Sequence, residues 1–303
     1  MEPDRFSRTA ILTACIRAYH AAHDDPKVFD DFMAHHLVTR EECQSLGLRL
    51  SDLSQPAAAM PRTSRTATLP WWIKAIAGSI IARARYFEES LEQAIRRGIE
   101  QYVILGAGMD TFAFRRPELL RRLLVFEIDH PATQTFKRRR LAEVGLKRPD
   151  TLHFIPLDFA TESLAEALKR SAYDHKAFTF FSWPGVIAYL RRRDVMSTFR
   201  AIADIARPGS NIVFDYLEEP FFDPDNPHRS VNIVHENLRL AGEPMITGFD
   251  PVGLASELAH LGFRIREDMS ADDVERVFLR GTAGYHAGLY THFARAEVEG
   301  SPS

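Results

Sequence analysis

Val103-Ile104-Leu105-Gly106-Ala107-Gly108-Met109-Asp110-Thr111-Phe112 is the stretch on which the fold turns. Three consecutive apolar residues read as the end of a strand buried on both faces. Two glycines then bend the chain, and a helix follows. Glycine belongs there because backbone must turn with positive φ or let a bulky ligand come close. In open α/β sheets ligands bind outside the carboxyl ends of strands, so this turn is the first place to look for a site.

Outward from it, short apolar runs recur at 101–105, 124–128, 152–157, 177–183 and 211–216. Amphipathic stretches at 131–144, 161–171 and 192–206 separate them. That alternation predicts a mostly parallel sheet built from βαβ crossovers. Residues 217–247, with Pro220, Pro224 and Pro227, interrupt it around a helical piece at 231–240. Helix 251–261, strand 262–266 and a final edge strand within 285–298 complete the pattern. The first hundred residues read as helices: Ser7 capping a segment to Ala22, a shorter one over Val28–Val38, and a long one from Pro70 to Arg97 that stops at Gly98 and is a candidate to break at Gly78. Residues 51–70, rich in Ser, Thr and Pro, read as a loop. The expected division is a helical cap over 1–98 and a cofactor-binding domain over 99–303, with a helical insert at about 217–248.

The 303 residues are 45% hydrophobic and 26% charged, which excludes wholesale disorder. A net charge of −3 lacks the basic surplus of a general nucleic-acid or membrane-surface binder. The most apolar stretches, 73–84 and 177–190, fall short of a membrane span, and the start has no signal-like apolar run, so a cytoplasmic protein is expected. Cys15 and Cys43 read as buried free thiols of a reducing compartment.

The second strand closes in Glu127-Ile128-Asp129, and Asp129 lies 21 residues beyond Gly108, the spacing at which a carboxylate accepts hydrogen bonds from ribose hydroxyls. A nicotinamide dinucleotide would want a third glycine for its pyrophosphate. Thr111 stands there instead, and Asp110 would repel the phosphates. S-adenosyl-L-methionine (SAM) carries a sulfonium and an amino group but no phosphate, so acidic neighbours suit it. Asp158 and Phe159 close the third strand with a hydrogen-bond acceptor and an apolar ring for adenine, although Asp158 also fits as a helix cap. The fourth strand ends in Phe181-Ser182-Trp183-Pro184-Gly185-Val186-Ile187-Ala188-Tyr189-Leu190, beside which the reacting methyl should lie if strand order reverses between the first and fourth strands.

The runs VILGAGMDTFAFR, VFEIDHPATQTFKRR, PLDF and FSWPGVIAYL, with ARARYFEE upstream, resemble the leucine carboxyl methyltransferase-like group of SAM-dependent methyltransferases, on its bacterial small-molecule and polyketide O-methyltransferase branch. The resemblance implies a class I, Rossmann-like sheet of seven strands with an antiparallel last strand and a helical N-terminal cap. It places Gly106, Ala107, Gly108 and Ser182 along the cofactor, Asp129 at the ribose, and Asp158 and Phe159 at the adenine. Arg83, in preference to Arg85, would meet the methionyl carboxylate. Members acting on a protein carry a glutamate where this chain has Pro184, which favours a small-molecule acceptor.

A carboxylate acceptor is already ionised at neutral pH and needs alignment and desolvation, with Tyr189 a candidate beside it; a phenol would want a base. His228, His235, His286 and His292 have no partner legible from spacing, and adjacent His35 and His36 should diverge on a helix, so no metal site is expected. Trp71, Trp72, Tyr216, Phe221 and Phe222 are candidate pocket walls, and Arg8 and Arg191–Arg193 candidates to attract an acidic substrate. The expected partner is a small carboxylic acid or polyketide-like acceptor, with no nucleic acid or membrane and with a homodimer left open. The alternatives are an NAD(P)-dependent oxidoreductase and a SAM-binding protein without catalysis.

Overall fold

β1 (Gln101–Leu105) is buried along its whole length and runs parallel between β2 (Leu124–Asp129) and β4 (Thr179–Trp183). This is seen in a computed structural model that describes residues 6–46, 48, 71–282 and 284–300, the side chains of Trp71, Trp72 and Ala75 excepted. β3 (Leu152–Pro156) joins β2, and β5 (Asn211–Leu217) joins β4, both in parallel. β7 (Thr291–Val298) runs antiparallel between β5 and β6 (Phe263–Met269). The order β3-β2-β1-β4-β5-β7-β6 reverses between β1 and β4, which opens a crevice at the end of β1.

Helices cover both faces. On one lie α1 (Arg8–His23), α3 (Trp71–Arg96), α4 (Phe112–Arg115), α5 (Pro131–Glu143) and α10 (Ala271–Val274), sharing a core with Tyr102, Ile104 and Phe293. On the other lie α6 (Leu164–Lys169), α7 (Arg192–Ile205) and α9 (Pro251–His260), packed on Val103, Leu105 and Phe214. Between β5 and α9 the insert forms α8 (Arg229–Leu240), which has a small apolar cluster of its own. No described helix is long and apolar enough to cross a membrane.

Several local expectations give way to tertiary contacts. Residues 28–38 form only a 3₁₀ turn at Ala34–His36. The amides of Val28 and Phe29 donate to Nε2 of His20 (2.8 and 3.3 Å), and buried Asp31 turns inward to Arg17 (2.8 Å) and Thr111 (2.6 Å), contacts a continuous helix would not allow. A short helix α2 (Arg40–Ser45) follows instead, and its capping box of Thr39 and Glu42 was there to be read. α3 passes Gly78 unbroken; a Cβ there would sit 2.0 Å from the carbonyl oxygen of His286, so glycine serves a close approach. β7 is not the edge: its residues are buried on both faces, whereas β6 alternates and takes the edge. The loop at 51–70 lies outside the described residues.

Cys15 and Cys43 are not free thiols. They form a disulfide joining α1 to α2, with Cα atoms 5.5 Å apart. Two cysteines are too few to suggest a framework, but the turn at 24–39 folds α2 back onto α1 and brings them together.

Candidate active site at the strand ends

A cavity of about 1120 Å³ opens at the carboxyl ends of β1 to β5, and α1, α3 and α8 surround it. Its floor is the glycine turn. Gly106 and Gly108 take φ of +68° and +50°, and a Cβ on Gly106 would meet Val186 at 2.2 Å. Ala107 lines the cavity between them. The amide of Gly108 donates to Oδ2 of Asp129, and that of His130 to Oδ1 (2.7 Å). Burial pushes the Asp129 carboxyl up, and the two amides that donate to it oppose that shift without cancelling it.

Asp158 lines the cavity, and its Oδ1 accepts from the amide of Ala160 (2.9 Å) in the turn after β3; it does not cap α6, whose N-cap position is Ser163. Phe159 follows it, its ring 6.0 Å from that of Trp183. Ser182 is buried at the end of β4 and shares a hydrogen bond with the hydroxyl of Tyr102 (3.0 Å). Asp110 folds back onto the amide of Phe112 (2.7 Å), leaving a carboxylate beside the turn.

Arg83 reaches the cavity from α3, while Arg85 points away to Glu89 (2.7 Å). Arg83 Nη1 donates to Oδ2 of Asp215 (2.6 Å), and Oδ1 of Asp215 accepts from the amide of Gly185 (2.6 Å). A Cβ on Gly185, whose φ is +66°, would come 2.7 Å from the guanidinium. Glycine is therefore what lets the arginine lie against the turn after β4.

Tyr189 lines the cavity and is hydrogen-bonded with Thr9; burial pushes its phenol well above the ordinary value, so it stays protonated. Beside Thr9, the carboxylate of Glu243 accepts from the amides of Arg8 (2.6 Å) and Thr9 (3.0 Å) and from the hydroxyls of Ser7 (3.2 Å) and Thr9. The insert thereby closes onto the start of α1, which carries the favourable end of the helix dipole. Spacing gave no hint of Thr9 or Glu243, which are 234 residues apart. Asp215 had a signal: it is the one charged residue in the apolar run of β5.

Other candidates fall in different places. Tyr216 and Phe221 line the cavity, but Phe222 packs on Gly248; Trp71 and Trp72 lie outside the described side chains. Arg8, Arg191 and Arg193 stand exposed at the mouth, whereas Arg192 pairs with Glu257 and covers the ring of Phe249 at 4.6 Å. His292 has partners that spacing concealed: Nδ1 meets Asp268 (2.9 Å) and Nε2 meets Glu218 (3.0 Å), while Tyr216 donates to Asp268 (2.7 Å). His35 and His36 do not diverge; their rings are 3.8 Å apart. Among the described residues no three His, Cys, Asp or Glu side chains gather as metal ligands.

The donor set suits an adenosyl sulfonium. Carboxylates stand at the end of β2 and just beyond β3, the turn after β1 is glycine, and Asp110 beside that turn would repel a diphosphate. Comparison with known proteins agrees. The leucine carboxyl methyltransferase family profile matches residues 10–203. YktD of Bacillus subtilis (strain 168), named as a provisional SAM-dependent methyltransferase, is 35% identical over 92% of this chain and 93% of its own length. A Mycobacterium marinum protein named in the same way is 30% identical over 93% of each chain. Among solved structures, a DUF574-family protein from Streptomyces avermitilis shares the fold at a TM-score of 0.54 and 14% identity, covering 74% of this chain and 85% of that one. Strand order, the glycine turn and the carboxylates at the rim thus coincide with a match across most of the sequence: the chain belongs to the leucine carboxyl methyltransferase family of SAM-dependent methyltransferases.

Proposed function

We propose that the protein methylates the carboxylate of a small molecule, with SAM lying along Gly106–Gly108 and its ribose on Asp129. Asp158 and Phe159 then flank the adenine, and Arg83 takes the methionyl carboxylate, with Asp215 and the close fit at Gly185 fixing its guanidinium. Ser182 and Tyr102 close the floor. Residues 1–98 and the insert at 217–248 act as the cap over the domain at 99–303, and Glu243 joins the two parts of that cap across the mouth.

When bound, SAM supplies a methyl group on a sulfonium: the acceptor oxygen forms the new C–O bond as the C–S bond breaks, and sulfur keeps the electron pair. The chain's own residues align the acceptor and exclude water, with Tyr189 lining the cavity beside it.

One observation supports an acceptor that is already ionised. Of the twelve histidines only His130 lines the cavity, and it adjoins Asp129 on the cofactor side. The carboxylates nearest Tyr189 are engaged, Asp215 by Arg83 and Gly185, Glu243 by the start of α1. No described side chain there is free to take a proton from a hydroxyl, and a carboxylate needs none taken.

The test is a panel of carboxylic acids and matched alcohols incubated with SAM, with products identified by mass spectrometry. Methyl esters of acids are expected, at a rate flat from about pH 6 to 9 because the acceptor is ionised throughout. Methyl ethers of the alcohols, or a rate rising tenfold per pH unit, would show that a base is at work.

A further inference from the structure

The cavity has a second end that the cofactor does not explain. α8 turns Val231, Val234 and Leu238, spaced along one helical face, toward the cavity, where they meet Phe221, Ile76 and Met245. From α8 through residue 246, the only charged side chain among the described residues lining the cavity is Glu243, and its carboxylate is saturated by the start of α1. The rim continues the same character: Leu240 is 67% exposed, Ile246 52% and Leu289 39%. Most large apolar side chains of the described chain are buried, yet these three stand in water together around one opening. Exposed apolar side chains lining the same cavity mark a path for an apolar ligand.

The walls also specify shape. A flat aromatic ligand is held by rings that face it, whereas the lining contributed by residues 229–246 has none and presents Val231, Val234, Leu238, Leu240, Met245 and Ile246. The volume, about 1120 Å³, exceeds the roughly 300–1000 Å³ usual for a single ligand, which leaves room for a cofactor and an extended acceptor end to end.

We propose that the acceptor carries an extended aliphatic chain lying in the compartment under α8, with its polar end toward Tyr189. This rests on the carboxylate reading only for the identity of the methylated atom.

The test is calorimetric titration of the full chain, with S-adenosylhomocysteine present, by hexanoate, octanoate, decanoate and dodecanoate below their micelle concentrations. Affinity is expected to rise roughly tenfold for each two methylenes added. Leu240→Glu and Ile246→Glu are exposed substitutions; each should weaken decanoate at least tenfold and leave S-adenosylhomocysteine affinity unaltered. Affinity that does not grow with chain length, rim variants that bind decanoate as the parent does, or a naphthalene carboxylate binding as tightly as decanoate would each overturn the proposal. Decanoate that binds as expected but yields no methyl ester leaves the compartment in place and removes the carboxylate reading. Acetate esterified as fast as decanoate does the reverse.

Discussion

His292 lies between Asp268 and Glu218, with the ring of Tyr216 stacked on it at 4.9 Å. Burial disfavours its charged form, but hydrogen bonds with Asp268 and Glu218 outweigh that and raise its pKa. A histidine whose folded pKa is raised stabilises the protein fully below its unfolded value near 6.5, and that contribution is lost as pH rises through the folded pKa. His292→Asn should therefore cost ~1.5–3 kcal/mol at pH 6 and much less at pH 9, read by urea denaturation at each pH. Equal losses at both would mean that the imidazolium contributes nothing. At this scale the sequence revealed residues tied to strand ends, such as Asp129 and Asp158, because a strand's end and a spacing locate them. It concealed Thr9, Glu243 and the partners of His292, whose contacts depend on how the insert and β7 return to the sheet.

Elements buried on both faces were the legible ones. β1, β2 and β4 are mostly apolar runs, and each lies within two residues of where the pattern placed it. Segments governed by single polar contacts were not legible. A helical pattern at 28–38 loses to the amides taken by His20 and to the inward turn of Asp31. The alternation late in the chain located β7 but not its neighbours, since a buried antiparallel strand and an edge strand share that period. The cysteines make the same point, for their pairing follows from α2 folding back onto α1. A bridge spanning 28 residues removes enough disorder from the unfolded chain to contribute about 3–4 kcal/mol. Cys15→Ser, or reduction of the parent, should shift the denaturation midpoint accordingly. A midpoint indifferent to reductant would show that the two sulfurs are not joined in solution.

For the whole molecule, the reversal of strand order between β1 and β4 puts one crevice where the glycine turn, the β2 and β3 carboxylates and Arg83 converge. α1, α3 and the insert then supply an apolar far wall and a mouth tied by Glu243. Family membership was legible because its motifs occupy the strand ends, where a buried run, a turn and a fixed spacing locate them. The far end of the cavity was not, because it is assembled from α1, α3 and the insert, elements that meet only in the fold.

The central claim is that this crevice holds SAM with its ribose on Asp129. Calorimetric titration with S-adenosylhomocysteine of the parent and of Asp129→Asn tests it most directly. Binding to the parent is expected, with the variant roughly 10–100-fold weaker at an unchanged melting temperature, as the loss of hydrogen bonds to a charged group requires. Equal affinity of the two proteins, or a parent that takes up NADH and refuses S-adenosylhomocysteine, would contradict it.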